Sequence, residues 1–232
     1  MQDLEDLEER KILLSERSYI NPIVNLLKTI DNRSCPYKVN LHCHTTYSDG
    51  SLEPEKLISK ACDINLEHLA ITDHHSISAI PIVSQWISKY SDSKSMPTLW
   101  PGIEISCVLS GCLVHIIGLG IDINSEFILP YIQGETAQGH YLRAETVINS
   151  IRNSKGISIL AHPARYRLDY TFLIERAYKI GISGIEVWYD YELSEEWHYS
   201  SLICESVNKL TSRYNLLKSC CTDTHGYSIL GR

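Results

Sequence analysis

The sequence lacks the features that mark membrane proteins and disulfide-bonded secreted proteins. No apolar run among its 232 residues approaches the roughly 20 that a membrane-spanning helix needs. The first residues, MQDLEDLEERK, are acidic, whereas a secretory signal starts with basic residues and continues with apolar ones. The eight cysteines include no CxxC pair, and the adjacent Cys220 and Cys221 cannot easily bridge to each other. We therefore expect a cytoplasmic protein with no membrane contact and with reduced, mostly buried thiols.

An excess of positive charge is also missing. The chain has 21 Lys and Arg against 28 Asp and Glu, a formal net charge of -7. A broad surface for a nucleic-acid backbone normally needs clustered basic residues, so this balance disfavours one. The charge balance does not exclude a small phosphorylated substrate. The length, with 44% hydrophobic residues, fits one sizeable domain with an appendage.

The first 34 residues differ in pattern from the rest. Leu4, Leu7 and Leu14 recur at helical spacing, and Asn21-Pro22 reads as the start of a helix through IVNLLKTI. We predict an N-terminal helical extension over residues 1–34 and the main domain over residues 35–232. The leucine stripe is either a face for a protein partner or a face packed on the domain itself, and so short a stripe is more often packed.

From Val39 onward, short apolar runs alternate with helical segments. The helical segments include a long one through Ala137 and Ile151 that ends at Gly156, and another over residues 195–210. Two strands flank a predicted hairpin at Ser110-Gly111. Strands that alternate with helices predict a parallel α/β fold, either a barrel or a doubly wound sheet.

Polar residues cluster at the carboxyl ends of the predicted strands, which favours the barrel. In an α/β barrel these ends converge on one mouth, where catalytic residues of several strands meet. The residues concerned are His42, His44, Asp49, Asp73, His74, His75, Glu104, His162, Glu186, Asp223 and His225, while His115 reaches the same mouth from the hairpin. Six strand ends and the hairpin strand that feed one site predict a barrel rather than an open sheet.

The spacing of these residues predicts a metal site. Residues two apart on a strand share a face, so His42 and His44 converge, as do Asp223 and His225. Imidazole and carboxylate without a well-placed thiolate suit Mn, Fe or Zn and argue against a structural cysteine-type zinc. Nine residues qualify as ligands, which are too many for one ion and imply two or three: His42, His44, Asp49, His74, Glu104, His115, His162, Asp223 and His225.

Six motifs in this order resemble the polymerase and histidinol phosphatase (PHP) family. They are LHCHTTYSDGSLEPEKLI, LAITDHHSI, GIEIS, VHIIGLGID, AHPARY and TDTHG, and the greatest similarity is to the branch of stand-alone TrpH-like phosphoesterases. The resemblance covers residues 37–232. It implies a distorted (β/α)7 barrel with a trinuclear metal centre, in which the same nine residues are ligands and Glu104 is the bridging carboxylate.

The chain departs from the family pattern at two places close to the motifs. Asn40 stands where the family usually has Asp, and Cys221-Thr222 replaces the common Gly-Ser before the final Asp. Both positions are expected to support the ligands rather than to bind metal, so the changes should tune the site without emptying it. The segment between His115 and His162 has only 46 residues, whereas the branch often carries a larger helical insertion there.

Several residues near the motifs are open to two interpretations. Arg165 follows a predicted ligand, and its planar fork favours a role in binding a substrate phosphate over that of a surface Arg. Tyr166 is evenly balanced between these roles. His75 is more consistent with a structural role than with proton donation, because only one of two adjacent residues can face the metals. Asp73 is expected to orient a ligand histidine, and Glu186 to support the ligands.

These features predict an enzyme that hydrolyses phosphoesters of a small phosphorylated substrate, of the nucleotide or sugar phosphate type, with a metal-bridging hydroxide. The residues expected to carry catalysis are Glu104, Asp223, His225 and Arg165. One alternative is an exonuclease that acts on RNA or DNA ends. A second is a non-catalytic metal-binding module recruited to a larger assembly through the N-terminal helices, against which the complete ligand set argues.

Overall fold

The computed structural model describes residues 21–91, 95–194 and 196–232. Seven strands form one sheet, in the order in which they occur along the chain. The strands are β1 (Val39–Asn40), β2 (His68–Ile71), β3 (Thr98–Leu109), β4 (Cys112–Leu119), β5 (Ile157–Leu160), β6 (Gly184–Trp188) and β7 (Leu217–Cys220). The α-helices are α1 (Ile23–Leu27), α2 (Pro54–Asp63), α3 (Ala79–Tyr90), α4 (Ala144–Asn153), α5 (Tyr170–Lys179) and α6 (Ser201–Arg213).

Most neighbouring strands run parallel, and β4 is the exception. It pairs antiparallel with both β3 and β5, whereas the other neighbours are parallel. The predicted hairpin between β3 and β4 is confirmed. Its two turn residues, Ser110 and Gly111, have φ of 50° and 78°, the left-handed pair that matches the twist of a tight hairpin. Because β4 runs in reverse, His115 lies on a strand beside Glu104 of β3 rather than in a loop.

The sheet is open between β1 and β7, but the chain segments that follow these two strands meet. The backbone N–H of His44 donates to Thr224 O at 3.0 Å, and that of Asp223 donates to His42 O at 3.1 Å. Cys43 and Thr224 form an isolated parallel bridge. The predicted fold class, a distorted (β/α)7 barrel, is confirmed, although no strand ladder closes the described sheet between β1 and β7. The polar ends of its first and last strands lie side by side.

Two helices begin later than the sequence predicts. Helix α4 begins at Ala144 rather than near Ala137, because Arg143 has extended backbone (φ -75°, ψ 132°) and Gly139 has a φ of 62°. Helix α6 begins at Ser201, since the Asp190 carboxylate accepts hydrogen bonds from the backbone N–H groups of Glu192 and Ser194 and holds a loop there. No helix within the three described ranges is long and apolar enough to cross a membrane.

The apolar core includes part of the predicted N-terminal extension. Ile23, Val24 and Leu27 of α1 are at most 1% exposed and belong to the same buried cluster as side chains from β3 to β7. The Asn21 side chain anchors the helix start by donating to the carbonyls of Gly120 and Lys155. A smaller apolar cluster packs α2 and α3 against β2. The leucine stripe lies outside the described residues, and the division at residues 34 and 35 stays a prediction.

Candidate metal centre

The structure brings all nine predicted ligands together at the carboxyl ends of the strands. They are His42 and His44 after β1, Asp49 in the following loop, His74 after β2, Glu104 in β3, His115 in β4, His162 after β5, and Asp223 and His225 after β7. Parallel strands end at the same edge of a sheet, so residues far apart in sequence meet there. Their roles as ligands stay a prediction that this arrangement supports.

Glu104 lies at the centre of the cluster. Its Oε2 is 2.9 Å from His42 Nε2, 3.2 Å from His44 Nε2 and 3.4 Å from His74 Nε2. Its Oε1 is 2.9 Å from His115 Nδ1 and 3.4 Å from His162 Nε2. Burial opposes its charge, but the surrounding histidines hold the pKa of Glu104 well below its usual value. Two carboxylate oxygens that face two separate sets of imidazoles are what a bridging ligand requires.

Two further carboxylates complete the cluster. Asp223 Oδ1 is 3.4 Å from His42 Nε2 and 3.3 Å from His44 Nε2. Asp49 Oδ2 is 3.2 Å from His225 Nε2, and its Oδ1 is 3.4 Å from His44 Nδ1. Burial opposes ionisation of both acids, yet the neighbouring histidines hold the pKa of each far below its usual value. Both acids are therefore charged at neutral pH.

The donor set fits divalent cations. Three overlapping groups made only of predicted ligands have ligand atoms within 4.8 Å of one another: His42, His44, Glu104 and Asp223; His44, Asp49, His74 and His225; and His74, Glu104 and His115. The buried ring atoms His74 Nδ1 and His162 Nδ1 have no hydrogen-bond partner. Burial would lower the pKa of His44, but Asp223 and Glu104 raise it to about 9. A buried site that stabilises a protonated histidine this strongly also suits a bound cation.

The sequence profile of the PHP domain matches residues 40–227. The chain belongs to the PHP domain family. The 5'-3' exoribonuclease Rnm of Salmonella typhimurium is 41% identical over 97 residues, which are 42% of this chain and 32% of that protein. A 3',5'-nucleoside bisphosphate phosphatase of Chromobacterium violaceum is 33% identical over 84 residues, which are 36% of this chain and 28% of that protein. The chain thus aligns with less than two thirds of the length of either relative.

Solved structures confirm the PHP fold. An amidohydrolase of Chromobacterium violaceum with bound sulfate has a TM-score of 0.69 to this chain at 18% identity, over 84% of this chain and 90% of that one. Together, the family match, the shared fold and the cluster of histidines and carboxylates agree with the resemblance seen in the six motifs. The predicted family is therefore confirmed.

Glu186 of this PHP domain supports two predicted ligands at once. Its Oε1 is 3.0 Å from His42 Nδ1, and its Oε2 accepts a hydrogen bond of 2.8 Å from the backbone N–H of His162. The side chain is fully buried. A carboxylate on Nδ1 fixes the tautomer of a ligand histidine, so that Nε2 of His42 faces Glu104 and Asp223. These contacts agree with the predicted supporting role.

Asp73 acts on the loop before Asp49 rather than on a histidine. It accepts hydrogen bonds from the backbone N–H and hydroxyl of Thr45 at 2.6 and 2.7 Å, and from the Ser48 hydroxyl at 2.8 Å. The Ser48 hydroxyl lies 3.4 Å from His44 Nδ1. The prediction that Asp73 directly orients a ligand histidine is wrong, since it fixes the loop that places Ser48 and Asp49.

The backbone at the site is strained at two predicted ligands. His162 and Asp223 have φ of 24° and 53°, in the left-handed region that residues other than glycine rarely adopt. Such conformations persist where surrounding bonds fix them, and they concentrate at functional sites. Glu186 holds the N–H of His162, and His42 O accepts the N–H of Asp223. Sequence patterns carry no signal for this strain.

His75 and Tyr166 have structural contacts. His75 Nε2 accepts a hydrogen bond from the backbone N–H of Ser106 at 3.3 Å, while burial lowers the pKa of its ring. This agrees with the structural interpretation of His75. The Tyr166 hydroxyl accepts the backbone N–H of His115 at 2.8 Å, and burial raises the pKa of that hydroxyl well above its usual value. Tyr166 thus fixes the strand that carries His115.

Arg165 lies at the rim of the centre, together with a residue that the sequence did not indicate. Arg165 Nη1 donates to Asp223 Oδ2 at 2.9 Å and to the Tyr189 hydroxyl at 3.0 Å. Arg232 Nε donates to the same oxygen at 2.8 Å. Both arginines line a cavity of about 250 Å³ with Asp49, His74, Glu104, His115, His162, Tyr166, Asp223 and His225. Arg232 belongs to no spaced motif, and only the folding back of the last segment brings it to the site.

Proposed function

We propose that the protein hydrolyses a phosphoester bond of a small phosphorylated substrate, of the nucleotide or sugar phosphate type. The observation that carries this proposal is Glu104, a single buried carboxylate within 3.4 Å of the ring nitrogens of five histidines. A proton relay or a nucleophile–base pair does not need five imidazoles around one carboxylate. Two or three divalent ions that share a bridging carboxylate would need such a set of imidazoles, and paired ions suit displacement at phosphorus.

The nine predicted ligands would hold two or three ions of Mn, Fe or Zn. Imidazole and carboxylate donors suit these borderline to hard divalent ions. Glu104 belongs to two of the three overlapping donor groups, and His44 and His74 also belong to two groups each. Bound ions of this kind lower the pKa of water toward neutrality and neutralise charge on phosphoryl oxygens.

The chain itself would orient the substrate and the ligands. His225 Nδ1 is 2.7 Å from Asp223 O, so its N–H can donate to that carbonyl and leave Nε2 facing Asp49. Glu186 holds His42 in the matching tautomer. At the rim, the Arg165 guanidinium would donate to phosphoryl oxygens as they enter, because its fork matches that geometry. The reaction consumes one water and releases inorganic phosphate and an alcohol.

The charge of the cavity explains why anion binding would depend on the ions. Three carboxylates, Asp49, Glu104 and Asp223, face two guanidinium groups, Arg165 and Arg232. When the histidines are neutral, as ligands of a cation must be, these side chains alone sum to a net negative wall that repels a phosphate. Two divalent ions would reverse its sign, and the low dielectric of a cavity strengthens the attraction.

A second candidate function is removal of nucleotides from RNA ends. The Salmonella relative that is 41% identical over 97 residues carries the name 5'-3' exoribonuclease. The alignment covers 32% of that protein. The acidic balance of this chain supports the small substrate as the primary proposal.

The cysteines support the cytosol as the proposed location. All eight are buried, and thiols stay reduced in that compartment.

The test is metal analysis of the purified protein, combined with a hydrolysis screen across phosphate monoesters, dinucleotides and short RNA. We expect more than one ion per chain, and we expect His162→Ala and Asp223→Ala to lose metal and activity together. His198→Ala is the matched control, because this exposed ring contacts Glu192 at 3.1 Å away from the centre. At most one ion per chain, with both site variants as active as wild type, would overturn the proposal. A full set of ions without hydrolysis of any substrate would instead support the non-catalytic module.

A further inference from the structure

A bulge in β6 turns Tyr189 toward the metal centre. Residues two apart on a regular strand share a face, so Tyr189 would lie on the face opposite to Glu186. The pairing of β6 with β7 shifts by one residue between Glu186 and Trp188, and such a bulge re-aims the side chains that follow it. The ring centroid of Tyr189 accordingly lies 5.6 Å from that of His162. The ring of Trp188 instead packs against Tyr199.

The surroundings of Tyr189 fix both its backbone and its ring. Its carbonyl accepts the backbone N–H of Ser200 at 3.1 Å and the Cys204 thiol at 3.3 Å. Its ring centroid lies 4.8 Å from that of Tyr191. A hydroxyl on a side chain that is locked by packing can hold another group in place.

The Tyr189 hydroxyl joins two residues of the centre. It accepts a hydrogen bond from Arg165 Nη1 at 3.0 Å and donates one to Asp223 Oδ2 at 2.9 Å. A guanidinium group only donates, so the single hydroxyl proton is directed to Asp223. Arg165 Nη1 also donates to Asp223 Oδ2 itself, at 2.9 Å. The three groups thus form a closed triangle of hydrogen bonds, which fixes the carboxylate relative to the guanidinium group.

Three donors occupy one oxygen of Asp223 and leave the other for cations. Oδ2 accepts from the Tyr189 hydroxyl, from Arg165 Nη1 and from Arg232 Nε. A carboxylate oxygen offers about two lone-pair directions, so Oδ2 is fully used. Oδ1 lies 3.3 Å from His44 Nε2, inside one of the three donor groups. Asp223 therefore presents one defined oxygen to the centre.

Among the three donors, Tyr189 is the buried one. Tyr189 is 1% exposed, whereas the side chains of Arg165 and Arg232 are 31% and 29% exposed. Water competes least for a buried hydrogen bond, and the low dielectric there strengthens it. The backbone of Asp223 is strained, with a φ of 53°, so its side chain depends on surrounding bonds to keep its place. The Tyr189 hydroxyl supplies the most sheltered of these bonds.

We propose that Tyr189 is a positioning residue of the metal centre, whose hydroxyl holds Asp223 with Oδ1 toward the cations and keeps Arg165 beside it. This inference rests on the proposed function, because it takes Asp223 as a metal ligand. Tyr189 contacts neither ions nor substrate in this role and acts through its two partners. The role depends on the hydroxyl alone, so phenylalanine, which keeps the buried ring, should abolish it.

The test is Mn²⁺ binding by Tyr189→Phe, measured by calorimetry and by competition with a fluorescent chelator. We expect the same number of ions as in wild type, with the affinity for at least one of them lowered about 10- to 100-fold. Tyr170→Phe is the matched control, because the Tyr170 hydroxyl donates to Ser206 Oγ at 3.0 Å between α5 and α6. Both variants should lower the urea midpoint of the metal-free protein, but only Tyr189→Phe should weaken Mn²⁺ binding.

A double-mutant cycle and NMR separate positioning from a simple loss of stability. In the Asp223→Asn background, Tyr189→Phe should change Mn²⁺ affinity by less than about twofold, because the carboxylate through which it acts is already gone. The ¹⁵N signal of Arg165 Nη1 in metal-free protein should shift in Tyr189→Phe and stay unchanged in Tyr170→Phe. Wild-type Mn²⁺ affinity in Tyr189→Phe would contradict the proposal, whatever the Arg165 signal shows. An equal loss of affinity with and without the Asp223 carboxylate would contradict it too.

Failure of this inference and failure of the proposed function give different results. If wild type binds no Mn²⁺, the ligand set is wrong and both fail. If wild type binds Mn²⁺ but hydrolyses no phosphoester in the screen, the function is wrong, while a lower affinity of Tyr189→Phe still supports the positioning role. If wild type hydrolyses a phosphoester and Tyr189→Phe binds Mn²⁺ as wild type does, only the positioning role is wrong.

Discussion

Glu186→Gln should lower the metal affinity of the centre, although it replaces none of the nine predicted ligands. The glutamate accepts two hydrogen bonds, from His42 Nδ1–H at 3.0 Å and from the His162 backbone N–H at 2.8 Å. A glutamine of the same shape offers one oxygen and one NH₂ group, so one of these donors must face another donor. The change therefore either frees the tautomer of His42 or releases the strained backbone of His162.

The magnitude follows from these contacts. Loss of one buried charge-assisted hydrogen bond costs about 1.5–3 kcal/mol, and removal of a carboxylate behind a ligand histidine typically lowers metal affinity about 10- to 100-fold. We expect Mn²⁺ affinity of Glu186→Gln to fall within that range. Burial lowers the pKa of His42, while Glu104, Glu186 and Asp223 raise it well above its usual value, so the variant should also lower that pKa.

The assay combines Mn²⁺ calorimetry with ¹⁵N NMR of the His42 ring in the metal-free protein. Wild type should show the Nδ1–H tautomer or the protonated ring, and the variant should show more of the Nε2–H form. Glu175→Gln is the matched control, because this exposed glutamate contacts Lys179 away from the site. Mn²⁺ affinity within about twofold of wild type, together with an unchanged His42 tautomer, would refute a positioning role for Glu186.

Three further predictions follow from the same contacts. In metal-free protein, the pKa of His44 is raised to about 9 from an ordinary value of 6.5. Protonation of this ring should therefore stabilise the folded state fully below pH 6.5, by on the order of 3 kcal/mol, and this contribution should disappear as pH rises to about 9. Urea unfolding of the metal-free protein measures the loss, which the Mn²⁺-loaded protein should not show. Gly50→Ala places a Cβ 2.5 Å from the carbonyl carbon and oxygen of His44, so it should lower the free energy of unfolding by about 1–3 kcal/mol and weaken Mn²⁺ binding. Gly226→Ala is the control, because the nearest atom to its Cβ is 3.9 Å away, and it should change neither stability nor Mn²⁺ binding. Asn40→Asp removes the donor to Thr222 and should cost about 1–3 kcal/mol in thermal or urea unfolding; equal stability of this variant and wild type would contradict the network.

The ligand cluster could be predicted from the sequence because its signals are local. Residues two apart on a strand share a face, which pairs His42 with His44 and Asp223 with His225 before any fold is known. The alternation of strands and helices then brings the strand ends together. The nine predicted ligands accordingly meet in the structure, and the hairpin between β3 and β4 lies at its predicted turn.

The supporting contacts could not be predicted, because they join residues with no spacing relation. Glu186 reaches His42 across 144 positions and His162 across 24. Arg232 reaches Asp223 only because residues 225–232 fold back over the network of Asn40 and Thr222. Helix α4 also began later than its apolar period predicted, since a period does not reveal that Arg143 has extended backbone.

Asn40 and Thr222, which in the sequence are two separate departures from the family pattern, form one hydrogen-bonded pair in the structure. They are 182 positions apart, and each donates to the other, through Asn40 Nδ2 and the Thr222 backbone N–H. The pair lies where β1 and β7 lack a strand ladder, so a side-chain amide joins the two edges of the sheet there. Thr222 directly precedes Asp223, and the same amide holds Ile229 O. A change at Asn40 therefore acts on both sides of Asp223, on the strand end that presents this carboxylate to the centre and on the segment that presents Arg232 to it.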